Sequence, residues 1–240
     1  MIIHVIGNHS VGKTAFVHEL CALLENATEY YEGVRGVLSH DVTVHRMSFA
    51  QAVQFVLHHE RERRDLSARG RIVICEKHYL FNPYTLGPLP RTWTNVERES
   101  MSFLLRDMRE VPDLIIYLRA SPDVSFDRML HRRSRKMYLC TLSQLSIMHT
   151  HLEQFWNANN GSFKVLLHKK YASVCYGTPH NVPSHLLPPP VLCIDVTTPF
   201  ARNAFVTKYC VLPQLKYLCP LLEFVHEHPK EEFRAINTDE

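Results

Sequence analysis

Eight consecutive residues carry the clearest chemistry in this sequence: Gly7, Asn8, His9, Ser10, Val11, Gly12, Lys13 and Thr14. Glycines at both ends of the run let backbone N–H groups approach an anion closely. A helix opening near Gly12 adds unsatisfied donors and the positive end of its dipole. Lys13 can then reach the β and γ phosphates of a nucleoside triphosphate, and the Thr14 hydroxyl can sit on Mg²⁺. All eight residues thus form an expected cradle for ATP. The pattern fixes phosphate binding and leaves the fate of the phosphate open.

Two further groups separate phosphoryl transfer from simple binding. Glu76-Lys77-His78 follows an apolar run, where an acid can hold Mg²⁺ or position an acceptor hydroxyl and a lysine can neutralise transferred charge. Arg128, Arg132, Arg133, Arg135 and Lys136 form the second group. Arg128 and Arg132 are four apart and share a helix face, and the remaining cations gather where that helix should give way. A lid over about residues 128–140 would close arginines on the γ phosphate and exclude water. Arg128 and Arg132 are its expected catalytic members, and Arg133 and Arg135 are expected to hold ATP.

The elements that must position these groups are legible as alternating periodicities. Ile2, Ile3, Val5 and Ile6 read as a buried strand, and residues 14–24 carry apolar letters at helical spacing. Residues 49–66 read as a helix whose far end, Glu60-Arg61-Glu62-Arg63-Arg64, should run into solvent. Strands are expected at 71–75, 113–118 and 191–196, and further helices at 95–109, 122–131, 141–156, 201–209 and 215–226. Residues 82–94 read as an irregular connection. Uninterrupted apolar strands separated by helices imply an α/β fold: a parallel sheet of about five strands, covered on both faces, in one domain spanning residues 1–240. Ligands of such sheets gather at the carboxyl ends of the strands, where Gly7, Glu76 and Arg119 fall.

Composition excludes several classes. A chain of 240 residues, 45% hydrophobic and 21% charged, can bury a large core. With 27 basic against 24 acidic residues and a formal charge of +3, nothing points to nucleic acid as a partner. Seven cysteines without a CxxC pair read as reduced, buried thiols. The 16 histidines lack a metal-ligand pattern, and His58-His59 read as helix surface. No stretch reaches the roughly 20 apolar residues of a membrane span. The first core strand starts at Met1 and leaves no room for a leader, so a cytoplasmic or nuclear location is expected.

The phosphate loop, Ile74-Cys75-Glu76-Lys77, the run from Pro112 to Asp123 and the Arg128 to Arg135 cluster together resemble the deoxynucleoside kinase family. That family includes deoxycytidine, deoxyguanosine and mitochondrial thymidine kinases and, more distantly, herpesvirus thymidine kinases. The resemblance covers about residues 1–156 and the strand at 191–196. It implies transfer of the γ-phosphoryl group of ATP, with Mg²⁺, to the 5′ hydroxyl of a deoxynucleoside, and a homodimer built by helix packing. It implies metal binding by Thr14 and Glu76, and a glutamine reading the base, at Gln51 in preference to Gln54. It implies a catalytic glutamate after the second strand, placed at Glu32, with Glu29 and Asp41 as rivals. Phe49, Lys77 and Phe81 fall on the substrate side, where aromatics such as Phe49, Tyr79 and Phe81 could sandwich a base or fill core.

This chain departs from the family pattern in three places. Glu76-Lys77 replaces a Glu-Arg pair and loses the bidentate fork; Glu29-Tyr30-Tyr31-Glu32-Gly33-Val34 lacks the proline and tryptophan of the usual base motif; and residues 163–190 are longer than usual, as a hairpin or an insertion. With these departures the resemblance implies a divergent member, of the kind a large herpesvirus-type DNA virus encodes. Two rival readings stand beside this one: a thymidylate kinase-like nucleoside monophosphate kinase, and a non-catalytic NTP-binding regulator.

Overall fold

The computed structural model describes residues 1–31, 47–76, 92–107, 112–131, 140–158, 164–167, 173–176, 189–197, 213 and 215. The expected helices at 201–209 and 215–226 fall almost wholly outside these residues, as do 82–91 of the expected connection and 132–139 of the expected lid.

Seven strands and five helices are described: β1 (Ile2–Gly7), α1 (Lys13–Leu23), β2 (Ala27–Tyr31), α2 (Phe49–Ala68), β3 (Ile72–Glu76), α3 (Asn95–Asp107), β4 (Leu114–Arg119), α4 (Pro122–His131), α5 (Leu142–Ala158), β5 (Lys164–Leu167), β6 (Ser173–Tyr176) and β7 (Val191–Asp195). They form one sheet in the order β2-β3-β1-β4-β7-β5-β6. The pairs β2–β3, β3–β1, β1–β4, β4–β7 and β7–β5 are parallel, and β6 closes the far edge antiparallel to β5. The five strands β2, β3, β1, β4 and β7 are the parallel core expected from the sequence. The long segment before the last strand contributes the β5–β6 hairpin beyond it.

The apolar runs are uninterrupted because both faces of the sheet are covered. On one face Ile3, Val5, Ile74, Leu114, Ile116, Leu192 and Ile194 meet Phe16, Val17 and Leu20 of α1. On the other, Ile6, Ile115, Tyr117, Val191 and Cys193 meet Leu152 and Trp156 of α5. Leu145, Met148, Leu152 and Trp156 recur at three- and four-residue steps and give α5 one buried stripe. Near the β2 edge, Ile2, Val73 and Cys75 pack with Tyr30 and Leu66.

Helix α2 is fixed at its start by a capping box, in which Ser48 and Gln51 exchange side-chain and backbone bonds. Its first turns pack Ala52, Phe55 and Val56 against Met47, Trp93, Met101 and Leu105, and the Trp93 indole N–H donates to the Met47 carbonyl at 2.8 Å. Its later turns differ from the solvated end that the sequence suggests. Glu60 and Arg63 are buried and ion-paired to each other, Arg64 also binds Glu60 at 2.8 Å, and His59 is buried against the Tyr30 hydroxyl. One face of the helix stays turned inward past the apolar letters, so its charges pair with each other.

Among the described residues no helix is long and apolar enough to cross a membrane. Cys21, Cys75, Cys140 and Cys193 are free thiols. Burial, then the charge of Glu29, pushes Cys21 up to about 12, and burial pushes Cys140 up to about 11, so both stay protonated at neutral pH.

Leu152 is fully buried where α5 seals the sheet, so Leu152→Ala should lower the unfolding free energy by about 2–5 kcal/mol. Urea unfolding with an unchanged slope measures it; an unshifted midpoint would show that α5 does not seal that face.

Candidate active site

All the parallel core strands end at the same edge, and the loop after β1 lies in the middle of it. Gly7 pairs with Leu118 in register, with Glu76 at the end of β3 on one side and Arg119 at the end of β4 on the other. A β-carbon on Gly7 would sit 2.7 Å from the Leu118 carbonyl oxygen and 3.0 Å from Val11 Cγ2, and its φ is +153°. Only glycine lets the chain leave β1 this close to β4. The chain turns again at Ser10 and Gly12, with φ of 57° and 98°.

Gly12 caps α1 in a left-handed conformation, without a side-chain cap or an acidic residue in the first turn. The first amides of α1 are therefore not claimed by a capping side chain, which is what an anion requires. Lys13, the first residue of the helix, is 8% exposed and folds its ammonium over the loop, donating to the Gly7 and Asn8 carbonyls at 3.2 and 3.0 Å. The cation expected to meet phosphate is thus held directly above the loop. Thr14 donates its hydroxyl to Glu76 Oε2 at 2.7 Å. The two residues expected to face a metal, 62 positions apart in sequence, meet here.

Asn8 is buried, with its side-chain amide donating to the Leu145 carbonyl of α5 at 2.9 Å and its side-chain carbonyl accepting the His9 N–H at 3.0 Å. Its side chain ties the loop to α5. A cleft lined by Val11, Gly12, Ala15, Leu118 and Val196 opens beside the loop on the α1 side.

Other expected site residues stand elsewhere. Arg128 donates to the carbonyls of Val196 and Thr197 at 2.7 and 3.2 Å, fastening α4 to the chain beyond β7. Gln51 spends its side-chain carbonyl on the Ser48 N–H at 2.9 Å, and Gln54 is exposed. Phe49 meets Trp93 edge-on with ring centres 5.6 Å apart, beside the α2–α3 cluster. Glu29, on β2, contacts His18 of α1 at 2.6 Å. Glu32, Asp41, Lys77, Tyr79, Phe81, Arg132, Arg133 and Arg135 lie outside the described residues. Glu32 is one position past Tyr31, whose register partner is Glu76.

One cluster at this edge was missed by sequence reasoning. Glu153 of α5 receives Arg119 in a two-pronged contact, Nε at 2.9 Å and Nη2 at 2.6 Å, and also the Tyr117 hydroxyl at 2.8 Å. Burial works against the Arg119 charge, yet the hydrogen bonds and charge of Glu153 outweigh it and hold the guanidinium more firmly protonated than usual. Burial, then the Glu153 charge, raises the Tyr117 phenol far above its ordinary value. The only sequence signal was the place of Glu153 beside the Leu152 and Trp156 stripe.

Among the described residues no three His, Cys, Asp or Glu side chains gather as a metal cage. A hydroxyl and one carboxylate, as Thr14 and Glu76 provide, suit Mg²⁺, which takes few protein oxygens and completes its shell with water and substrate phosphates.

No protein-family model matches the chain. In sequence it is similar to mitochondrial thymidine kinase 2 of Homo sapiens, 27% identical over 173 residues, covering 65% of this chain. That alignment spans 63% of the length of the human protein. In structure it is similar to deoxyadenosine kinase from M. mycoides with dCMP and a flexible dCDP bound, at a TM-score of 0.57 and 13% identity. A structure of the M. mycoides enzyme with dATP bound gives a TM-score of 0.54, also at 13% identity. Each match covers 90% of this chain and 100% of the other. The sheet and its helices are therefore a fold shared with deoxyadenosine kinase from M. mycoides.

The Tyr117 cluster generates a pH prediction with a definite sign. An unfolded tyrosine ionises near pH ~10, whereas the folded phenol is raised well above that value. Its contribution to stability is present in full below about pH 10 and is lost as the pH rises further, because the unfolded chain ionises first. Wild type should lose unfolding free energy more steeply than Tyr117→Phe above about pH 10; parallel slopes would refute the assignment.

Proposed function

We propose that this chain is a deoxynucleoside kinase that transfers the γ-phosphoryl group of ATP to the 5′ hydroxyl of thymidine or another deoxynucleoside, giving the 5′-monophosphate and ADP. The observation that carries the proposal is the Thr14 to Glu76 hydrogen bond of 2.7 Å, beside a lysine folded over a glycine-turned loop. The similarity to a thymidine kinase and to deoxyadenosine kinase structures supports the same reading.

In this mechanism the amides at the start of α1 bind the phosphates, and Lys13 moves from the loop carbonyls to the β and γ oxygens. Thr14 and Glu76 would hold Mg²⁺, which would supply positive charge to neutralise the phosphates. Glu32 accepts the proton of the attacking 5′ hydroxyl. Gln51, Phe49, Lys77 and Phe81 are the proposed substrate side, and Gln51 must leave its capping bond to read a base. Arg132, Arg133 and Arg135 are the proposed cations over the γ phosphate. Arg128 serves there only by leaving the carbonyls of Val196 and Thr197.

The proposed assembly is a homodimer. Val96 and Phe103, seven residues apart on α3, are 71% and 62% exposed and suit packing between helices. The proposed location is cytoplasmic or nuclear, and the departures from the family pattern support a divergent, virus-type member.

Incubation with ATP and Mg²⁺ and a panel of thymidine, deoxycytidine, deoxyguanosine, deoxyadenosine and thymidine monophosphate tests the reaction. A nucleoside monophosphate should form, and Lys13→Ala, Glu76→Gln and Glu32→Ala should each lower kcat by about 10²-fold or more. Transfer to thymidine monophosphate alone would establish the monophosphate kinase reading instead, and ATP binding without any transfer would establish a regulator. Undiminished turnover in Glu32→Ala would move the base to Glu29 or Asp41.

A further inference from the structure

Helix α5 reaches the loop after β1 through its backbone. A capping box fixes the start of the helix: the Thr141 N–H donates to Gln144 Oε1 at 2.8 Å, and the Gln144 N–H donates to Thr141 Oγ1 at 3.2 Å. At the next residue the Leu145 carbonyl accepts the Asn8 side-chain amide at 2.9 Å, and both residues are buried. A carbonyl inside a helix cannot swing as a side chain can. The height and rotation of the whole of α5 therefore set where the loop is tied.

The apolar stripe of α5 does not fix that height by itself. Leu152 and Trp156 are buried against the sheet, but apolar contact is non-directional. The directional contact is Glu153, two turns or about 12 Å along the helix from Leu145. It accepts Arg119 Nε at 2.9 Å, Arg119 Nη2 at 2.6 Å and the Tyr117 hydroxyl at 2.8 Å. Both donors stand at the end of β4, the strand whose Leu118 carbonyl leaves no space for a β-carbon on Gly7. One strand end thus meets the loop twice, directly at Gly7 and indirectly through Glu153, α5 and Asn8. The Arg119 and Glu153 side chains are 36% and 19% exposed, so the pair adds little stability. What its two-pronged geometry adds is direction.

We propose that Glu153 is a positioning residue for nucleotide binding: its clasp on Arg119 and Tyr117 holds α5 at the height where the Leu145 carbonyl anchors Asn8, and so sets the geometry of the loop from outside the site. A bound nucleotide needs the loop amides and the Lys13 ammonium to converge on it, and displacement of such groups by about 1 Å is costly. Glu153 touches neither the loop nor the nucleotide and acts only through the helix. The inference rests on the ATP reading of the site and adds a residue to which that reading gives no part.

Two variants break the clasp in different ways. Glu153→Gln keeps the shape of the side chain and puts a donor where an acceptor oxygen was, and Arg119→Lys keeps the charge and loses the fork. Calorimetry of ATP·Mg²⁺ binding and amide hydrogen exchange without nucleotide are measured on the full chain, with KM and kcat taken under turnover. Both variants should bind ATP·Mg²⁺ about tenfold more weakly at unchanged stoichiometry. Both should exchange faster at the amides of loop residues 8–12 while the β3 amides keep their wild-type rates. KM for ATP should rise and KM for the acceptor should stay unchanged. Wild-type affinity in either variant would overturn the proposal, as would a lowered stoichiometry at wild-type affinity, which marks a fraction of unfolded chain. Weaker binding with wild-type exchange in the loop would overturn it too, because the effect would then bypass the loop. Wild type that binds no ATP would overturn this inference together with the ATP site. Wild type that binds ATP but phosphorylates no nucleoside would overturn only the kinase reading, because the Glu153 comparison is still read from binding and exchange.

Discussion

Everything at the carboxyl edge of this sheet depends on how closely two neighbouring strands approach where the first of them ends. The chain leaves β1 against the Leu118 carbonyl with no space for a β-carbon, and this contact sets the loop's height above the sheet. From there the reversal at Ser10 and Gly12 returns the chain into α1 with Lys13 at its first position. Because β3 lies on the other side of β1, the same register brings Glu76 within hydrogen-bonding distance of Thr14. A bulkier residue at position 7 would push the loop away from β4 and separate Thr14 from Glu76.

Helix α5 braces the loop from the other face. Its apolar stripe lies on β1, β4 and β7, its Glu153 grips Arg119 and Tyr117 at the end of β4, and its Leu145 carbonyl takes the Asn8 amide. The loop is thus held by the sheet beneath it and by a helix beside it, and both attachments end in satisfied polar groups. A partly exposed Arg–Glu pair alone adds little. Here the two-pronged geometry and the buried tyrosine give the pair an orientation as well as an energy.

The core strands and the loop were legible because their signals are local. A strand buried on both faces spells an unbroken apolar run, and a strand followed by glycines and Lys-Thr spells its own turn and helix start. Glu76 was legible for the same reason, as the first acid after such a run. What the sequence withheld are contacts between distant elements: Arg119 and Glu153 are 34 residues apart, and nothing in either neighbourhood announces the other. Gln51 shows a second obstacle, since Ser48-Phe49-Ala50-Gln51 spells a helix cap as well as it spells a base-reading glutamine. Arg128 shows a third. A cluster of arginines suggests a shared target, but the carbonyls beyond β7 come from a segment 68 residues away.

The charges on the inward side of α2 carry a consequence for the history of this protein. Glu60 is enclosed with Arg63 and is held by Arg64 as well, so a lineage that lost Arg63 would keep a cation on the carboxylate, whereas one that lost Glu60 would leave the buried Arg63 without that carboxylate at a cost of about 3–5 kcal/mol. Replacement of both by apolar residues of similar size could be nearly neutral, but the route that loses Glu60 first passes through a buried arginine deprived of that carboxylate. The couple is therefore asymmetric: position 63 can change before position 60 at less cost than in the reverse order.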